Sequence, residues 1–295
     1  MKYVITGGAG NISKPIAISL ITAGHQVTVI GRNAEHLKSL TDGGAQAAIG
    51  SLEDEAFVTA TFKGADAVYL MIPPNYAAAG WRTYQNKVAD NYVNALRQND
   101  IKYAVVLSSI GAHMGNGAGP IDGLSDLEKK LHVLSNLNVK ILRPSYFMMN
   151  FYSMIPMIKS MNIMGSNLGG NGRKLVLTHT TDVVSIAMEE LLALNFIGQT
   201  FRYIASDERT PEEIAAVLGN AVDKPGIPWI VFTDEQALAG MVQAGLPQTI
   251  AEGYTEMGKA LREGLAEEDY WKNRPTLGSV KLEDFAKEFA EAFNA

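Results

Sequence analysis

A chain of 295 residues, 47% apolar and 19% charged, can bury a large core, as one domain or as a domain with an appendage. Its net charge of −6 argues against nucleic acid or an anionic membrane as the main partner. It contains no cysteine, which excludes disulfides, thiol catalysis and cysteine-ligated metals.

Met1 runs almost directly into an apolar strand pattern, leaving no room for a signal peptide. The most apolar stretch, Tyr146 to Gly165, is interrupted by Asn150, Pro156 and Lys159 and makes a poor transmembrane helix. A cytoplasmic protein with no membrane partner is expected.

The first element is Tyr3-Val-Ile-Thr-Gly-Gly-Ala-Gly-Asn-Ile-Ser13, a β-branched run that ends in glycines and opens into a helical pattern at Ile12, Ile16 and Leu20. Strand, glycine turn and helix form the context of a dinucleotide-binding fingerprint. Gly7 suits the tight turn, and Gly10 lets backbone approach a pyrophosphate without a Cβ in the way. Ser13 stands where the third glycine of the pattern would be, and it is small enough to keep helix against strand. Thr6, Gly7, Gly10, Asn11 and Ile12 are the candidate cofactor-binding residues of this turn. The bland alternative is an ordinary βα turn.

Gln26 to Ile30 reads as strand two, and Arg32 follows it at once. An acid here would bond a ribose 2′-hydroxyl and repel a 2′-phosphate, whereas an arginine does the opposite. Arg32, with Lys38 about two turns on, therefore favours NADP(H) over NAD(H), against the alternative of a solvated surface arginine. Residues 45–49 form a weak third strand ended by Gly50-Ser51. Asp66 to Ile72 is a strong fourth strand stopped by Pro73-Pro74. A helix over Trp81 to Gln98 and a fifth strand over Tyr103 to Leu107 complete a strand–helix alternation that predicts a parallel sheet covered on both faces. Ligands of such sheets sit beyond the carboxyl ends of the strands, which brings Ile72, Pro73 and Ser108 into the cofactor-binding set.

Ser108-Ser109-Ile-Gly-Ala-His113 ends strand five, and a glycine-rich loop and a helix from about Ser125 to Ser135 follow. Val139 to Leu142 is strand six, leading into Arg143-Pro-Ser-Tyr-Phe-Met-Met-Asn150. The opening Thr-Gly-Gly-Ala-Gly, Arg32, the Asp66 strand, Ser108-Ser109-Ile-Gly111 and Ile141 to Asn150 occur in this order over about residues 1–190. That series resembles the NmrA-like branch of atypical short-chain dehydrogenases/reductases. The resemblance implies an α/β fold, a Rossmann-type doubly wound parallel sheet with a smaller, mainly helical C-terminal lobe. Residues 1–150, with returns at about 174–204, would bind the cofactor, and 151–295 would form most of the substrate lobe. Proteins resembling this branch include NAD(P)H:quinone oxidoreductases, azo-dye reductases and catalytically silent NADP sensors.

Typical short-chain dehydrogenases use a serine and a Tyr-x-x-x-Lys pair, the tyrosine moving the carbonyl proton. Ser109 and Lys130 match the serine and lysine, but Asp126 stands in the tyrosine's place and is a poor proton donor at neutral pH. Hydride transfer to a quinone-like or other small aromatic acceptor needs no such tyrosine, because its product can collect a proton from water. Tyr146, Phe147, Met148 and Met149 open a methionine- and aromatic-rich run that could cover a flat acceptor; a core or a subunit interface is the equal alternative. His113 is the candidate proton donor near the cleft, or simply a loop hydrogen-bonder. The other histidines lack ligand spacing, and no metal is expected. The rival reading is a silent NADP(H) sensor that regulates a partner protein, and a homodimer is the other candidate assembly.

Beyond this run, Leu175 to Asp182 reads as a strand and a helix start, with Asp182 near the cap. Thr210-Pro-Glu-Glu213 and Thr233-Asp-Glu-Gln236 are capping boxes, and Leu282, Phe285, Phe289 and Phe293 mark one face of a terminal helix.

Overall fold

The computed structural model describes residues 1–170 and 172–295. In chain order the first elements are β1 (Lys2–Ile5), α1 (Ser13–Thr22), β2 (Gln26–Gly31), α2 (Ala34–Asp42), β3 (Gln46–Ile49), α3 (Glu55–Phe62), β4 (Ala67–Leu70), α4 (Trp81–Gln98), β5 (Tyr103–Leu107), α5 (Asp122–His132) and β6 (Asn138–Pro144). There follow β7 (Tyr146–Phe147), α6 (Ile155–Met161), β8 (Met164–Ser166), β9 (Leu175–Thr178), α7 (Thr180–Ala193), β10 (Gln199–Ile204), β11 (Asp207–Arg209), α8 (Pro211–Ala221), β12 (Trp229–Val231), α9 (Asp234–Gln243), α10 (Gln248–Arg262), α11 (Glu268–Lys272) and α12 (Leu282–Asn294).

The chain divides into two compact units, one of residues 1–109, 123–143 and 183–202, the other of 110–122, 144–182 and 203–295. The main sheet has the order β10-β6-β5-β4-β1-β2-β3, and β1 to β6 pair in parallel. This is a doubly wound Rossmann-type sheet, the outcome expected when strands alternate with helices. All four residues of β4 are buried, as a strand covered on both faces requires. Val68, Leu70, Val106 and Ile141 pack with Phe62, Val88, Tyr92 and Leu131 into one core. Local caps set the joints: Asn33 accepts from the Glu35 N–H at the start of α2, and Asp54 from the Phe57 N–H at the start of α3.

The second unit is built on α6, α8 to α12, a three-stranded sheet of order β11-β9-β7 and the β12-β8 pair. Its core gathers Met148, Phe151, Met154, Met164, Trp229, Phe285 and Phe289. The division expected from the sequence lies at residue 150, with returns at about 174–204; the units part at residues 143–144 and return at 183–202. β7 pairs with β9, and β9 with β11, so residues 144–182 join the second unit and the return to the first spans 183–202. Helix α5 also starts earlier than its apolar spacing suggests. Asp122 accepts the Gly117 and Ala118 N–H groups at 3.1 and 3.0 Å and fixes its first residue. Among the described residues, no helix is long and apolar enough to cross a membrane.

Candidate functional site

The candidate site is a cleft of about 590 Å³ within the first unit, at the carboxyl ends of β1, β2 and β3. That volume lies within the ordinary range of small-molecule sites, roughly 300–1,000 Å³. One wall is the turn Gly7 to Gly10. Gly7 adopts φ +89°, and a Cβ there would meet Ser13 Oγ at 2.5 Å and Met71 Sδ at 2.7 Å. Ser13, only 2% exposed, occupies the space beneath the turn that a larger residue would have taken. A Cβ on Gly10 would come to 3.2 Å from the Gly7 carbonyl oxygen, so the bare backbone here is a requirement of the turn as well as an opening for a ligand. No side chain caps α1 and no acid stands in its first turn, leaving its positive end open to an anion. The bare turn and uncapped helix start fit a pyrophosphate.

Arg32, Asn33 and His36 form the second wall. The third is the turn from Gly50 to Glu53, tied down by Gly50 N–H to the Gly31 carbonyl at 3.0 Å and Glu53 N–H to Ser51 Oγ at 3.2 Å. Pro73 and Tyr84 close the cleft, and the Tyr84 hydroxyl donates to the Pro73 carbonyl at 3.0 Å. Burial raises the pKa of Tyr84; the charge of Glu53 adds to the rise and that of Arg32 opposes it. Arg32 and Glu53 thus give this cleft charges of both signs.

Gly7, Gly10, Arg32 and Pro73 line the cleft, as do Asn33, His36, Ser51, Glu53 and Tyr84, which the sequence reading did not single out. The rule that ligands gather beyond the strand ends applies to β3 as well as to β1 and β2, and would have flagged Gly50 to Glu53. The other candidates have different surroundings. Thr6 is buried and knits the turn to its neighbour, donating to the Tyr69 carbonyl at 3.1 Å and accepting from the Met71 N–H at 2.8 Å. Ile12 and Ile72 are buried and Asn11 is exposed. Lys38 points to Asp42, one helical turn on, at 2.9 Å, outside the cleft lining.

Ser108 is buried and donates to Glu128 Oε1 at 2.5 Å. Ser109 is half-buried in the first unit, and His113 is exposed on a short turn of the second. Lys130 bonds Asp90 of α4 at 2.5 Å, while Asp126 holds Arg82 through two hydrogen bonds of 2.7 and 2.8 Å. Those hydrogen bonds, with help from Asn86, hold the Asp126 carboxyl down at about 2, so it is ionised at neutral pH.

The methionine-rich run divides. Met148 is fully buried in the core of the second unit, so it is a packing residue rather than part of an open slot. Tyr146, Phe147 and Met149 keep part of their surface, and burial pushes the Tyr146 phenol well above its usual range. Asp182 lies in the first turn of α7 but takes its bonds from Ser206 Oγ at 2.6 Å and Ser279 Oγ at 3.1 Å, clasping the chain before α12. Among the described residues, no group of three or more His, Cys, Asp or Glu is arranged to hold a metal.

Residues 7–149 match the family model described as NAD(P)H-binding. No curated protein matches the sequence. Among solved structures, an NADPH-dependent quinone oxidoreductase from Escherichia coli, complexed with NADPH, superposes with a TM-score of 0.82 at 19% identity over 97% of this chain and 99% of that one. A Citrobacter sp. triphenylmethane reductase complexed with NADP(H) gives 0.79 at 18% identity, over 98% and 99% of the two chains. A nucleoside-diphosphate-sugar epimerase from Staphylococcus aureus gives 0.80 at 16%, over 97% and 100%. At these identities the likenesses show the fold. The match identifies residues 7–149 as an NAD(P)H-binding domain, and the solved structures share the fold.

Proposed function

We propose that this protein is an NADPH-dependent oxidoreductase that transfers hydride to a quinone-like or other small aromatic acceptor. The observation that carries the reading is the meeting of a bare glycine turn, an uncapped helix start and Arg32 in one cleft. Gly7 and Gly10 leave backbone exposed to the pyrophosphate, and the start of α1 supplies N–H groups and a positive end. Arg32, just after β2, and His36, in the first turn of α2, line the cleft where a 2′-phosphate would sit, and Arg32 offers a fixed fork of donors to it. Tyr84 and the Gly50–Glu53 turn supply the remaining walls. The bound nicotinamide supplies the hydride, and Ser109 is the candidate beside it. Tyr146, Phe147 and Met149 are the candidates to cover the acceptor, with His113 as a proton donor. The quinone oxidoreductase and the dye reductase reduce conjugated acceptors by name, which supports an acceptor of that kind here.

One observation favours a second reading. Asp126 and Lys130, at the relay positions of a typical short-chain dehydrogenase, are both held in side-chain ion pairs. A chain without that relay suits either an acceptor needing no enzymatic proton or a silent NADP(H) sensor acting on a partner protein. NADPH oxidation with a panel of quinones, with NADH alongside, separates them. Acceptor-dependent oxidation preferring NADPH establishes the reductase. Tight NADPH binding with no oxidation by any acceptor overturns it in favour of the sensor.

A further inference from the structure

Glu267, just before α11 in the second unit, is a carboxylic acid with 1% of its surface exposed. Its Oε1 accepts the Val176 N–H of β9 at 3.0 Å, and Val176 itself belongs to a buried apolar cluster with Ile110, Tyr203, Ala205 and Tyr270. Such a site favours the neutral acid over the carboxylate. Burial lifts its pKa from 4.5 to about 7, against the lowering effects of the Val176 N–H and the Arg173 charge.

On β11, opposite Val176, Glu208 raises the pKa further; it accepts from the Tyr270 hydroxyl at 2.6 Å and from Arg274 at 2.7 Å. Also on β11, Asp207 pairs with Arg209 at 3.0 Å. Before β9, Lys174 is exposed, and Arg173 lies over Gly264, where any Cβ would collide with its guanidinium. On α11 itself Glu268 pairs with Lys272, and Asp269 accepts from the Tyr203 hydroxyl. The charge of His113 reaches Glu268.

The adjoining residue connects this acid to a second place. Ala266 Cβ stands 3.2 Å from where a Cβ of Gly111 would be, and Gly111, at φ +84°, aims the Ala112–Met114 turn that carries His113. The segment around Glu267 is therefore packed on both β9 and that turn.

We propose that Glu267 is a proton-controlled latch: when protonated it lets the Gly264–Arg274 segment seat on β9 and against the Gly111 turn, and when ionised it drives the segment open. The proposal does not depend on which acceptor, or whether any, is reduced.

The test is amide exchange at Val176 and through 110–114 in the protein and in Glu267→Gln, which keeps the acceptor but cannot ionise. After correction for intrinsic rates, opening of the wild-type segment should rise by up to about tenfold per pH unit between about pH 5 and about pH 7, then level off. The Gln variant should show no such rise. The same rise in the Gln variant would overturn the latch. A measurement on the wild type alone covers the case in which the variant does not fold. An infrared band of a protonated carboxyl group should persist at about pH 6 and vanish by about pH 8. Its absence at the lower pH would equally overturn the proposal.

Discussion

Ser108 and Glu128 are joined by a 2.5 Å hydrogen bond inside the first unit, and Glu128 in turn receives Arg143 through Nε at 3.1 Å and Nη2 at 2.6 Å. All three residues are no more than 8% exposed, and they tie the ends of β5 and β6 to α5. A buried carboxylate of this kind is costly to remove because its cation stays behind. Glu128→Ala should lower the unfolding free energy by about 3–5 kcal/mol in urea titration. Ser108→Ala, which leaves the ion pair in place, should cost about 1.5 kcal/mol. Equal, small effects of the two substitutions would show that the triad contributes no more than an exposed pair.

The cleft makes a prediction about cofactor choice. Arg32→Ala removes the guanidinium at the end of β2 and should weaken NADPH binding about 10- to 100-fold, the worth of a charge-assisted hydrogen bond, with little change for NADH. Gly10→Val crowds the turn against the Gly7 carbonyl and should weaken both cofactors alike. Calorimetric titration of each variant with each cofactor distinguishes the two patterns. An equal loss of both cofactors in Arg32→Ala would remove Arg32 from phosphate recognition.

Acid should destabilise the protein through two carboxylates held well below their usual range. Arg82 and Asn86 bring Asp126 to about 2, and Arg262 and Asn167 do the same for Asp234. A carboxylate whose folded value is depressed contributes stability that is fully present above the unfolded value and lost as pH falls through the folded one. The loss should therefore run from about pH 4 down to about pH 2. Both groups are partly exposed, so solvent and salt reduce the effect. Melting temperatures across this range should fall less steeply in Asp126→Asn and Asp234→Asn, which start lower, than in the parent.

What was legible in the sequence follows from the distance over which each signal acts. Helix α4 and strand β5 have the bounds that periodicity sets, and both threonine capping boxes form, because these signals lie within a few residues of each other. Arg32 lining the cleft follows from its place after β2. The Ser108–Glu128–Arg143 triad joins residues 20 and 15 positions apart, and no spacing rule reaches that far. Glu53 and Tyr84 come to one cleft only through the sheet order. The methionines left slot and core as equal alternatives for a different reason. Composition cannot tell an apolar slot from an apolar core, and Met148, Met154 and Met164 are core.

The terminal helix offers the last prediction. Leu282, Phe285 and Phe289 are buried along one face of α12, whereas Phe293 is only partly covered. Phe285 has ring neighbours in Tyr152 at 5.4 Å, Phe289 at 6.2 Å, His179 at 6.3 Å and Phe151 at 6.5 Å between centroids. Truncating it opens a cavity bordered by other aromatics whose own packing prevents collapse, so Phe285→Ala should cost about 3–5 kcal/mol. Phe293→Ala deletes the same atoms from a site that water already reaches, and should cost less than about 1 kcal/mol. Urea unfolding of the two variants isolates burial from side-chain chemistry. If Phe293→Ala proved as damaging as Phe285→Ala, α12 would be held at its last turn as much as along its middle, and the packing described for the second unit would need revision.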